Sequence, residues 1–79
     1  MILLVQLIYV RVLIVVEKTS TGSSAYSPDV PGCIATGEDE AETETSMGEA
    51  IAFHLDGLRE EGLPIPQPST KSAYVDVPA

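Results

Sequence analysis

Proline clusters in two blocks of this chain, and a helix-period pattern fills the stretch between them. Pro28 and the pair Pro31-Gly32 close the first part, while Gly62, Pro64, Pro66 and Pro68 open the last. Proline has no N–H to give, so neither a helix nor an inner strand runs through either block. Between them Met47, Ala50, Ile51, His54, Leu55 and Leu58 recur at steps of three and four, the stripe of an amphipathic helix. Asp39 with Glu42 makes a capping-box-like start. Gly62 suits the position just past the helix end, and Pro64 forbids continuation.

Strands are expected on both sides of that helix. Met1 to Val16 is apolar except for Gln6 and Arg11. It is shorter than the roughly 20 apolar residues a membrane span needs, and it lacks the basic start and small-residue cleavage site of a secretory signal. From Val10 to Val16 β-branched residues dominate, which fits a first strand. Val10, Val12, Ile14 and Val16 face one way, and Arg11, Leu13, Val15 and Glu17 the other. With both faces apolar, Leu13 and Val15 need a cover that one helix cannot give; a second copy of the chain is the expected one. Thr19 to Gly22 reads as a turn and Ser23 to Ser27 as the return strand, ended by Pro28. Val30-Pro31-Gly32-Cys33 fits a type II turn, in which Pro31 sets φ and Gly32 supplies φ > 0. A short strand from Cys33 to Thr36 follows, and after the helix Ser72 to Val77 alternates like a half-buried strand. The expected order is β-β-β-α-β, an α+β fold with one helix on one face of a small, mainly antiparallel sheet. At 79 residues the chain holds one domain.

The net charge of −8 has a single location. Glu38, Asp39, Glu40, Glu42, Glu44, Glu49, Asp56, Glu60 and Glu61 stand against Arg59 alone, and the rest of the chain is balanced. Such a field repels nucleic acid and attracts a basic partner, or else serves only as a solubilising face. Glu60 and Glu61 lie at the negative end of the helix dipole, where each exposed carboxylate costs about 0.3–1 kcal/mol.

No constellation for catalysis emerges. Cys33 is the only cysteine, which excludes an internal disulfide, favours a reduced, cytoplasmic setting and reads as a small buried hydrophobe. His54, the only histidine, falls in the helix stripe and reads as a core-edge imidazole. A nuclease using Glu17, Asp29 and Glu49 with Mg²⁺ would need those carboxylates to converge on ions about 4 Å apart. Phosphate loops, nucleophile elbows and basic aromatic surfaces are absent from the sequence, and no metal or cofactor is expected.

Read in order, Val16-Glu17-Lys18 before a glycine turn, Ala25-Tyr26, Pro28 to Cys33, Glu49-Ala50-Ile51 with His54-Leu55, and Glu60-Glu61-Gly62 leading into Pro64 and Pro66 resemble the HicB-like antitoxins. The resemblance runs from Tyr9 to the C-terminus, which makes residues 1–8 an extension and residues 9–79 the domain. It implies a degenerate ribonuclease H-like fold without the catalytic carboxylates. It also implies a binding role, blocking HicA, a small basic toxin that cleaves mRNA with a histidine. The expected contact residues are Asp29, Glu38, Glu49, Asp56, Glu60 and Glu61. The competing expectation is an orphan homo-oligomeric regulatory or binding domain with no toxin. Two features depart from the family pattern. No helix-turn-helix or ribbon-helix-helix follows, so direct contact with nucleic acid is not expected, and Thr43-Glu44 replaces an apolar pair, which predicts loosely packed first helical turns.

Overall fold

Antiparallel pairing begins where two strands can both offer backbone groups. A computed structural model describes residues 9–79. The expected extension at residues 1–8 lies outside the described residues. Strands β1 (Val15–Lys18), β2 (Ser23–Tyr26) and β3 (Ile34–Gly37) form an antiparallel sheet in the order β1-β2-β3, followed by helix α1 (Glu40–Glu60). Val16 pairs with Ala25, which pairs with Ala35, and this row faces α1. The alternate row, Val15 with Tyr26 with Ile34, faces away, as the period of two requires. Met47, Ile51 and Leu55 of α1 close on Ala25, Val30 and Cys33 to make the core, with Val12, Ile14, Val16, Leu58 and Ile65 packed around it.

The first strand is shorter than the sequence pattern predicts. Ladder pairing starts at Val15 and not at Val10, because its partner ends at Tyr26 and Pro28 has no N–H with which to extend it. Beyond the ladder the Ser27 hydroxyl donates to the Leu13 carbonyl at 2.8 Å, so Val12 and Ile14 still reach the core as irregular extended chain. Strand β3 starts one residue late for a similar reason: the Cys33 N–H closes the turn onto the Val30 carbonyl at 3.4 Å.

The fourth strand does not form. Among the described residues nothing after α1 joins a ladder, and Tyr74, Val75 and Val77 are 102%, 80% and 71% exposed. Alternation states which face a strand could bury; it does not supply a neighbour. Here Ser69 and Thr70 are fastened to the turn after β2, and the chain beyond them pairs with neither open edge of the sheet, β1 or β3.

The helix start is also tighter than expected. Thr43 is fully buried, and its hydroxyl donates to the Asp39 carbonyl at 2.8 Å, with a longer contact of 3.5 Å to the Ser23 carbonyl. Gly37 makes this possible, since a Cβ there would lie 2.6 Å from Thr43 Oγ1. The Asp39 side chain accepts from the Glu42 N–H at 2.8 Å, a conventional N-cap. At the other end Gly62 takes φ +70°; its N–H donates to Arg59 O and the Leu63 N–H to Leu58 O, the paired bonds of a Schellman motif. Among the described residues no helix is long and apolar enough to cross a membrane.

Candidate functional site

One side of α1 makes the core, and the opposite side carries an acidic stripe. Glu49, Phe53, Asp56 and Glu60 follow one another at three- and four-residue steps and are exposed, with Glu61 just past the helix end. Their charges are not equivalent. Asp56 holds Arg59 at 2.9 Å, the one ion pair among the described residues, and Glu49, Glu60 and Glu61 form no ion pair there. Glu38 stands apart, exposed in the bend before α1.

Phe53, the only phenylalanine, sits inside this stripe at 83% exposure. It borders a shallow groove of about 410 Å³ between α1 and the chain around Gly32–Ile34, lined also by Ala50, His54, Gly57 and Glu61. Cys33 forms part of its floor, buried, with its thiol 4.0 Å from the Ala50 carbonyl. His54 is half-buried at its side. Sequence reasoning passed over Phe53 because the core stripe excluded it. That exclusion was itself the signal: a large apolar residue in register with Glu49 and Glu60 has no place in the core.

Asp29 is engaged within the chain. Its carboxylate accepts from the Thr70 hydroxyl at 2.8 Å, the Thr70 N–H at 3.1 Å, and the Ser69 N–H and hydroxyl at 3.3 Å each. The Thr70 hydroxyl bond, supported by the two backbone donors and opposed by partial desolvation, holds its pKa below the ordinary carboxylate value. Nothing in the sequence pairs position 29 with positions 69 and 70. The structure therefore brings together Glu49, Asp56, Glu60 and Glu61, and sets Asp29 and Glu38 elsewhere.

Pro31 and Gly32 form the exposed turn that borders the groove, with Gly32 at φ +88°. Val15 is half-buried on the sheet side away from α1, beside Tyr26 and Ile34 at 45% and 70% exposure, while Leu13 is half-buried ahead of β1, near Thr70 to Ser72. Glu17 lies on β1, Asp29 in a turn and Glu49 on α1; among the described residues no group of three or more His, Cys, Asp or Glu side chains is gathered as a metal would need.

Comparison with known proteins decides the lineage. Residues 12–79 match the family model described as HicB_like antitoxin of bacterial toxin-antitoxin system. The chain belongs to the HicB-like antitoxin family. This HicB-like chain resembles a chain of a solved HicA3 and HicB3 toxin-antitoxin complex, with 34% identity and a TM-score of 0.61 over 75% of its own length and 72% of that chain. It is similar as well to the crystal structure of antitoxin HicB3, 36% identical with a TM-score of 0.62, covering 73% of this chain and 43% of that one. An uncharacterized 14.9 kDa protein of the rep-hol intergenic region of Haemophilus phage HP1 (strain HP1c1) is 34% identical over 65 residues, 82% of this chain and 49% of that protein. The HicB-like chain thus spans about half the length of its curated relative.

Proposed function

We propose that this chain neutralises a HicA-like, basic, mRNA-cleaving toxin by binding it in the cytoplasm, and that it acts by contact and not by catalysis. The observation that carries this reading is the concentration of carboxylates outside any ion pair, Glu49, Glu60 and Glu61, on the solvent side and at the end of one helix. The similarity to a HicA3 and HicB3 complex supports a toxin of that kind as the partner. A field of one sign steers an oppositely charged protein into encounter and excludes RNA from the same surface. The test is co-expression with a HicA-like toxin, followed by pull-down and an RNA-cleavage assay. Rescue of growth and loss of cleavage are expected; a folded chain that neither binds nor silences the toxin would defeat the reading.

The apolar row of half-buried Val15 with exposed Tyr26 and Ile34 favours a second property, self-association. Two copies stacked through this face would cover Val15 while keeping their acidic helices apart. If no toxin partner is encoded nearby, a homo-oligomeric regulatory or binding domain is the reading left standing.

A further inference from the structure

The groove beside Phe53 combines three features that the fold itself does not need. Phe53 gains almost nothing from the core at 83% exposure. Gly57, one turn later, occupies a helix interior where glycine is disfavoured relative to alanine, yet a Cβ built there meets no atom within 4 Å. Close packing therefore gives no reason for its small size. Glu60 and Glu61 lie at the end of the dipole that disfavours them. All three departures fall on the last turns of α1 and border the same groove or continue its stripe.

We propose that this groove is the anchor point for the basic partner, which sets an apolar side chain into the space left by Ala50 and Gly57 against the ring of Phe53, with Glu49, Glu60 and Glu61 around it. The proposal rests on the antitoxin reading and deepens it. The occupant is a basic protein and not a second copy, because a second copy would bring its own acidic helix against this one. A desolvated aromatic anchor inside a polar rim is the usual energetic core of a protein interface, with the rim charges acting on approach. The two contributions separate kinetically: losing the anchor speeds dissociation, and losing the rim slows association.

The probe is a small, basic HicA-like toxin, measured by surface binding kinetics against the unaltered protein and three variants. Phe53→Ala should raise the dissociation rate at least tenfold with an unchanged melting midpoint. Gly57→Gln, which fills the groove with a good helix former, should weaken the complex as much while the free protein melts no lower. Gly48→Gln makes the same exchange on α1 outside this groove, and should leave binding unchanged. If the unaltered protein does not bind the probe, the antitoxin reading falls and this surface with it. If it binds and Phe53→Ala and Gly57→Gln bind equally well, the toxin reading survives and the groove is overturned. Loss of homo-oligomer on Phe53→Ala with toxin binding intact would assign the groove to a second copy, and would also overturn the proposal.

Discussion

Single residues set the two bends that give the site its frame. Gly32 holds φ +88°, and no atom lies within 4 Å of where its Cβ would be. The cost of a substitution there is backbone strain alone. Gly32→Val should lower stability by more than ~1 kcal/mol, with Gly32→Asn milder, as read from melting midpoints. Asp29 makes a different kind of tie. Its folded pKa lies below the unfolded value of 3.8, so the clasp is fully formed above that value and is lost as pH falls through the lower folded one. Amide-exchange protection of Ser69 and Thr70 should hold at neutral pH, weaken in strong acid, and be lost at every pH in Asp29→Ala, which removes the acceptor. Protection that persists in the variant would show that the tail is held by something else.

At the scale of elements, the helix ends behave oppositely. The N-terminal end is reinforced, with Asp39 capping Glu42 and Thr43 tied back to the Asp39 carbonyl. Asp39→Ala should cost about 0.5–2 kcal/mol in thermal unfolding. The C-terminal end has sound backbone capping through Gly62 but the wrong charges at Glu60 and Glu61. Glu60→Lys/Glu61→Lys should therefore stabilise the free protein by roughly 0.3–1 kcal/mol per position while slowing association with the toxin. Glu40→Lys, which removes a favourable charge, should destabilise and affect association less. Equal association defects at both ends would reduce the contact to general electrostatics.

At the scale of the whole molecule, the helix covers one side of the sheet and leaves the other to Val15, Tyr26 and Ile34. Sedimentation at micromolar concentration should show a dimer or larger assembly, and Val15→Asp should shift it to monomer without abolishing the fold. A stable monomer of the unaltered chain would refute the self-association. The two surfaces also predict different salt responses, since toxin binding through the carboxylates should weaken with ionic strength while apolar pairing of sheets should not.

The sequence by itself determined the punctuation of this protein: the turn at Pro31-Gly32, the cap at Asp39, the stripe of Met47, Ile51 and Leu55, and the stop at Gly62 and Pro64. Each depends on interactions spanning a few residues, so spacing and residue type suffice to specify it. The charge segregation was equally legible, because formal charge is independent of folding. Tertiary structure alone decided that β1 begins at Val15, that residues 72–77 find no ladder, and that Thr43 is a tightly bonded core residue and not a loose substitute. It also decided that Asp29 binds the tail and that Phe53 stands exposed among carboxylates. These outcomes turn on which distant segment is present as a partner, and an alternating or acidic pattern records only what a segment could pair with.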